Sequence, residues 1–285
     1  MFAEQRRLGR TVSPTLVLPV VAAQTRLTLA MAAAARAGER RALLVLAARY
    51  AEYTGWMAQE AGDEAAAIAW TAEAARAAAA GGDPELARYA LVRRAEIDLY
   101  RGDAAGVIAH SVGAQRDGGR DRVTGLALER EAQGHALSRD RGRSERAADR
   151  AQEVLATAGA AAGADGLGPL SAPNRHALVT GWCLFDLGRP EAAAELLDRE
   201  VPLVPESARR EVARFGARRA IAHALAGDPG TAATLAVQLL PVATQVDSAT
   251  VRVDLQRLLT VLGRWERRPE IARARTEIAD ALLPY

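Results

Sequence analysis

The chain has 285 residues, of which 49% are hydrophobic and only 4% aromatic, with a formal net charge of +2 and a single cysteine, Cys183. Its apolar residues are mainly Ala and Leu rather than the β-branched and aromatic residues that favour strands, so the composition predicts an all-α fold. The small net charge argues against strong attraction to nucleic acid, and one cysteine excludes an internal disulfide and a thiolate metal cluster.

The basic charge is concentrated at the start of the chain. Residues 1–50 contain eight arginines and two acids, and the whole sequence contains no lysine. A nucleic-acid-facing arm would account for this excess, but a solvated helix face is the preferred interpretation. The start lacks the apolar run of a signal peptide, and no stretch of about 18 uncharged apolar residues is found. We therefore predict a cytoplasmic protein without a membrane partner.

The first helices are marked by proline, glycine and aspartate. Ser13-Pro14 suits a helix start, since Ser caps and Pro fits the first helical turn. Gly62 suits a left-handed helix end, and Asp63 can cap the helix that follows. The predicted helices cover residues 14–36, with a break at Gly38, then 40–61 and 64–80.

Gly-Asp junctions then recur along the chain at spacings of about 40 residues, which indicates a stack of two-helix units. They lie at Gly62-Asp63, Gly102-Asp103 and Gly227-Asp228, with Gly188-Arg189-Pro190 in the same role and a blurred version from Asp140 to Gly142. A small residue precedes each clear turn by seven positions, and small residues let two helices approach closely. These residues are Gly55, Ala95, Gly181 and Ala220; we register the blurred third unit on Gly134.

This pattern resembles the tetratricopeptide (TPR) repeat. The resemblance implies a TPR-like α-solenoid of about five to six antiparallel helix pairs, ending in a capping helix. We expect one domain over residues 1–285. It would comprise an N-terminal arm and helix (1–39), repeats one to three (40–157), a Gly- and Ala-rich loop (158–172), repeats four to six (173–263) and the capping helix (268–283).

Three stretches also resemble the C-terminal TPR-like regulatory region of Xre-type helix-turn-helix transcription regulators. They are QRRLGRTVSP, RYAEYTGWMAQEAGD, and YALVRRAEIDLYRGD with REAQGHAL beyond it. In that family a DNA-binding domain precedes the region matched here, and the residues before Pro14 are too few to form one. The resemblance therefore implies either a transcription-regulation module that contacts DNA only through a missing N-terminal domain, or a free-standing relative that no longer binds DNA.

If the units stack as TPRs do, the first helix of each lines an inner, concave groove. The side chains predicted to face it mix aromatic and charged groups, which suits a semi-polar small molecule or a short peptide. These predicted ligand-binding residues are Arg49, Glu52, Trp56, Gln59, Tyr89, Glu96, Glu131, His135, Arg175, Trp182, Phe185 and Arg214. For Trp56 and Trp182 a role in the core is the stronger alternative, and for Glu131 and His135 a plain hydrogen bond.

The sequence contains no nucleotide fingerprint, catalytic elbow or paired-histidine metal motif, so no cofactor or metal is predicted. The preferred function is a non-catalytic ligand-sensing or protein-interaction module that binds a small molecule or peptide; a homodimer is among the expected partners. The alternative is a cyclase- or isomerase-type enzyme of specialised metabolism. It would use Glu52, Glu96, Glu131 or His135 as acid or base.

Overall fold

The computed structural model describes residues 2–158, 167–168 and 173–283. In these residues the regular structure is entirely helical, with fourteen α-helices, two short 3-10 helices and no strand. The all-α prediction is therefore confirmed. The chain forms two compact units, each described by itself: unit 1 is Met1–Gly9 with Pro14–Pro169, and unit 2 is Arg10–Ser13 with Leu170–Tyr285. A single domain over residues 1–285 stays a prediction.

Most helices pack on a helix that is next to them in the sequence, as expected for a stack of hairpins. The helices of unit 1 are α1 (Phe2–Leu8), α2 (Pro14–Ala34), α3 (Ala37–Ala61), α4 (Glu64–Gly81), α5 (Pro84–Arg101), α6 (Ala104–Gln115), α7 (Arg122–Leu137) and α8 (Arg141–Ala158). Those of unit 2 are α9 (Arg175–Asp186), α10 (Pro190–Glu200), α11 (Arg209–Leu225), α12 (Pro229–Val246), α13 (Ala249–Leu262) and α14 (Pro269–Ala281).

The predicted helix boundaries hold except near Gly38. The break between α2 and α3 falls at Ala35 and Arg36, and Gly38 lies inside the first turn of α3. The predicted loop over residues 158–172 lies almost wholly outside the described residues, whereas the predicted capping helix is present as α14.

Six helix ends use the same pair of backbone hydrogen bonds. At the first, the amide of Gly62 donates to the carbonyl of Gln59 (3.0 Å), and the amide of Asp63 donates to that of Ala58 (2.9 Å). This Schellman pattern needs a left-handed residue, and the φ of Gly62 is 87°. The same arrangement recurs at Gly82, Gly102, Arg139, Gly188 and Gly227.

An aspartate follows five of these six left-handed residues and starts the next helix. The Asp63 carboxylate accepts a hydrogen bond from the amide of Ala66 at 2.9 Å, which satisfies one of the free amides at the start of α4. Asp83, Asp103, Asp140 and Asp228 do the same for α5, α6, α8 and α12. One dipeptide therefore both ends a helix and caps its successor.

The third unit corrects the sequence prediction. Its left-handed residue is Arg139, with φ of 61°, and the turn is Arg139-Asp140 rather than a turn at Gly142, which lies within α8. The small residue seven positions earlier is consequently Ala132, so the registration of this unit on Gly134 is wrong by two residues. The sequence did not indicate a left-handed residue at Arg139, because glycine is the residue expected at a positive φ.

In the first and third hairpins of unit 1 the two helices approach closely at residues twelve positions apart. A Cβ added to Gly55 would lie 3.2 Å from the carbonyl oxygen of Ala67, and the Ser144 hydroxyl donates to the carbonyl of Ala132 at 2.9 Å. The corresponding residues of all five hairpins, ten in total, are buried. The pairs are Gly55 and Ala67, Ala95 and Val107, Ala132 and Ser144, Gly181 and Ala193, and Ala220 and Ala232.

One helix of the described residues, α2, is long and apolar enough by length and composition to cross a membrane. Buried core helices pass the same test. Its inner side packs on α3, where the hydroxyls of Thr25 and Thr54 lie 2.9 Å apart.

Candidate functional site

Unit 1 buries a connected set of charged and amide side chains on α3, α5 and α7, the first helices of its three hairpins. We call it the unit 1 polar cluster; its members are Glu52, Gln59, Arg93, Glu96, Arg130 and Gln133. Gln133 is fully buried, and Arg93, Glu96 and Arg130 are at most 6% exposed. Three of the predicted ligand-binding residues, Glu52, Gln59 and Glu96, are brought together here.

Arg93 lies at the centre of the unit 1 polar cluster. Its Nη2 donates to Oε1 of Gln59 at 2.7 Å, its Nε lies 3.6 Å from Oε1 of Glu52, and its Nη1 pairs with Glu96. A buried guanidinium is tolerated only when anions and acceptors replace water, and these three side chains supply them.

Arg130 extends the cluster to α7. Its Nη2 lies 3.8 Å from Oε2 of Glu96, and its Nη1 donates to Oε1 of Gln133. Glu96 therefore bridges two arginines. The carboxamide nitrogens of Gln59 and Gln133 are buried, and neither has a hydrogen-bond partner among the described residues. Two buried amide donors thus have no acceptor among the described residues.

Burial shifts the proton affinity of two groups at this site. It raises the pKa of Glu52, and the positive charge of Arg93 opposes the rise without cancelling it. Burial also raises the pKa of the Tyr89 phenol, which is 5% exposed on α5. Arg49 and Trp56 are half-buried on α3, where the Trp56 ring lies 5.6 Å from that of Tyr53.

The structure does not bring Glu131 and His135 into the unit 1 polar cluster. Glu131 accepts a hydrogen bond from Nε2 of Gln115 on α6 at 2.6 Å, and its Oε1 lies 3.6 Å from Nε2 of His135. With the third unit registered on Ala132, the equivalent positions are Leu126, Glu129, Gln133 and Ala136. Glu129 and Gln133 were missed for this reason.

Unit 2 has its own group of charges, which we call the unit 2 polar cluster: the buried side chains of Asp186, Arg218 and Asp254, and the exposed side chain of Arg257. Arg218 Nη2 lies 3.1 Å from Asp254 Oδ1, and both side chains are nearly inaccessible. Arg257 Nη1 lies 3.7 Å from Asp186 Oδ1. Burial raises the pKa of both carboxyl groups, and the arginines oppose the rise. None of these four residues was predicted from the sequence, because their partners lie on different helices.

The predicted aromatic residues of unit 2 pack against this cluster. Trp182 donates from Nε1 to Asp186 at 2.9 Å. The guanidinium carbon of Arg218 lies over the Trp182 ring, 3.1 Å from the ring centroid. The Phe185 ring lies 4.2 Å from the guanidinium carbon of Arg257. Both rings are therefore used in cation–π contacts within the unit. Arg175 and Arg214 are half-buried, and Arg214 reaches Thr250 at 3.3 Å.

A second feature of unit 1 is an open cleft of about 440 Å³ between the α6–α7 connection and α8. Its floor includes Leu128 and Val154, and Arg120 and Arg150 lie at its edge. None of the predicted ligand-binding residues lines it. Among the described residues no group of three or more His, Cys, Asp or Glu side chains could hold a metal ion.

The chain matches no protein-family model and no curated protein sequence.

Proposed function

We propose that this chain is a non-catalytic, TPR-like ligand-sensing or protein-interaction module, related to the effector region of Xre-type transcription regulators. Two regularities support the TPR-like part. A left-handed turn residue lies seven positions after a small residue, and a second crossing residue lies twelve positions after that small residue, in five helix pairs. This is the close-packed crossing expected of stacked two-helix repeats.

The observation that carries the binding role is the pair of unfilled amide donors in the unit 1 polar cluster. Burying an amide without a hydrogen bond costs roughly 1–3 kcal/mol, so two such groups on one face favour a ligand that accepts from them. Such a ligand carries carbonyl or carboxylate oxygens. Arg93 and Arg130 donate to the carboxamide oxygens of Gln59 and Gln133, so the nitrogens of the two amides are the donors left over. A peptide or a small oxygen-rich metabolite has this chemistry.

The enzyme alternative draws on one feature, the raised pKa of buried Glu52, which suits a general acid. Glu131 contacts Gln115 and His135 rather than Glu52 or Glu96, so the four candidate catalytic residues do not converge. The site therefore favours binding over catalysis.

The test is ligand binding followed by a matched pair of variants. Peptide and metabolite fractions are screened by thermal shift, and hits are measured by calorimetry. Gln59→Met keeps the side-chain length but removes the carboxamide, both its oxygen and its nitrogen. We expect it to weaken binding at least about tenfold. Gln152→Met makes the same change at an exposed position on α8 and should leave affinity unchanged. Equal affinity of the two variants, or no binding from any fraction, would overturn the proposal.

A further inference from the structure

Helix α2 exposes an apolar stripe along its whole length. Leu16, Val20, Leu27 and Met31 are 70%, 55%, 54% and 50% exposed, which is a large share for such side chains on one helix face. Alanines fill the positions between them. We call the six central residues the α2 stripe: Leu16, Val20, Ala23, Leu27, Ala30 and Ala34, with Met31 at its edge.

The opposite side of α2 is fixed to its own unit. Val17, Val21, Thr25, Thr28 and Ala32 are buried, and Thr25 contacts Thr54 of α3. The α2 stripe therefore faces away from the surface that α2 uses for folding. Substitutions on the stripe can test association without removing a buried contact.

The α2 stripe is complementary in shape to a second copy of itself in antiparallel orientation. About a twofold axis near residue 25, residues whose numbers add to 50 lie opposite each other. This places Leu16 against Ala34 of the second copy, Val20 against Ala30, and Leu27 against Ala23. Every large side chain then meets a small one, which is the requirement for close helix packing.

The charges near the stripe agree with the antiparallel arrangement. The stripe itself carries none, and Arg26 on its flank lies over the Trp70 ring at 5.5 Å. Exposed Arg36, Arg40 and Arg41 follow the C-terminal end of α2. A helix of this length spans about 30 Å, so antiparallel pairing keeps the two basic groups well beyond the screening length of roughly 8 Å. Parallel pairing would place them together.

We propose that the α2 stripe is the interface of a homodimer, formed by antiparallel packing of α2 against α2 of a second copy. The contact is isologous, so it closes at two subunits. One helix pair gives an interface at the small end of the range, below roughly 1,200 Å², and the dimer is expected to dissociate at micromolar concentrations.

The first experiment measures oligomeric state by analytical ultracentrifugation over a concentration series. Ala23→Glu places a charge opposite Leu27 of the second copy and should raise the dimer dissociation constant at least about tenfold. Ala33→Glu makes the same change at an exposed position on the adjacent side of α2, and should have a much smaller effect. Circular dichroism should show both variants folded.

Disulfide formation tests the orientation. A mixture of Leu16→Cys and Ala34→Cys chains should form mixed dimers, whereas Leu16→Cys alone should not, because its two cysteines would lie about 27 Å apart along the helix. The native Cys183 is 4% exposed and does not compete. A monomer at all concentrations, a dimer unaffected by Ala23→Glu, or Leu16→Cys self-linkage would overturn the proposal. So would a monomer that sediments with phosphatidylglycerol vesicles through this stripe.

Discussion

At the scale of the residue, Gly55 lies at a position where a side chain does not fit. A Cβ at this position would lie 2.9 Å from Oγ1 of Thr71 and 3.2 Å from the Ala67 carbonyl oxygen. The second atom belongs to the backbone of α4 and cannot move without shifting that helix. The glycine is therefore required for the distance between α3 and α4.

We expect Gly55→Ala to destabilise the protein by about 1–3 kcal/mol through overpacking, and Gly55→Leu to unfold the first hairpin. The control is Gly113→Ala in α6, where the nearest atom is Leu91 Cδ1 at 3.4 Å. There the substitution should stabilise by about 0.5 kcal/mol, since alanine favours the helix. Urea unfolding measures both. Equal effects of the two alanines would contradict the close crossing at Gly55.

At Arg139 the introduction of a glycine is expected to stabilise the protein, because the arginine occupies a backbone conformation that favours glycine. Arg139→Gly should stabilise the chain by about 0.5–1 kcal/mol, as relief of the left-handed strain outweighs the added freedom of the unfolded chain. Gly102→Ala, at φ of 75° with no atom within 4 Å of the added Cβ, should cost about 1 kcal/mol for the same reason. Thermal unfolding checks both signs, and a loss of stability in Arg139→Gly would show the turn to be misplaced.

At the scale of the element, the start of α7 depends on the charge of Asp121. Burial acts to raise the pKa of this carboxyl, but hydrogen bonds from the Thr124 amide and from Arg88 outweigh it and hold the pKa below 3.8. An acid whose pKa is lowered on folding stabilises the protein above its unfolded value. That stability is lost as the pH falls through the folded value.

Asp121→Asn keeps a capping side chain but removes the ion pair with Arg88. We expect a loss of about 0.5–1 kcal/mol at pH 7, and a difference from the native chain that shrinks as the pH falls below 3.8. Chemical unfolding at pH 7, 5 and 3 measures it. Asp149→Asn, exposed on α8 and in no ion pair of the described residues, is the matched control. A difference that stays constant with pH would exclude the charge as its origin.

At the scale of the whole molecule, each unit contains its own buried charge cluster. The pair of Arg218 and Asp254 joins α11 to α13 in unit 2, and its side chains are 7% and 3% exposed. Removing one member leaves the other buried without its counter-ion, whereas replacing both with apolar residues leaves no buried charge.

Asp254→Asn should therefore cost about 3–5 kcal/mol, and the double variant Arg218→Met with Asp254→Leu should recover most of that loss. Trp182 lies against Arg218 and reports the change through its fluorescence during urea unfolding. Additive losses in the double-mutant cycle would mean that the two residues act independently and that the pair does not hold the helices together.

The helical hairpins were predictable because their signals are local. Gly62 and Asp63 act through hydrogen bonds to residues at most five positions away, so the dipeptide itself reveals the turn. The third turn was placed at Asp140 to Gly142 instead of Arg139-Asp140, because Arg139 adopts the left-handed conformation without being a glycine. That single error moved the predicted site on α7 from Glu129 and Gln133 to Glu131 and His135.

The sequence alone determined the all-helical composition, the helix ends and the small residues at most helix crossings, since each depends on neighbours within about twelve positions. Only the tertiary structure decided which charges are buried together. Arg93 contacts Glu52 and Gln59 on α3 and Glu96 on its own helix, and Arg218 pairs with Asp254, thirty-six residues away. It also decided which apolar face of α2 is left exposed. Burial depends on what packs from elsewhere in the chain, and no local pattern contains that information.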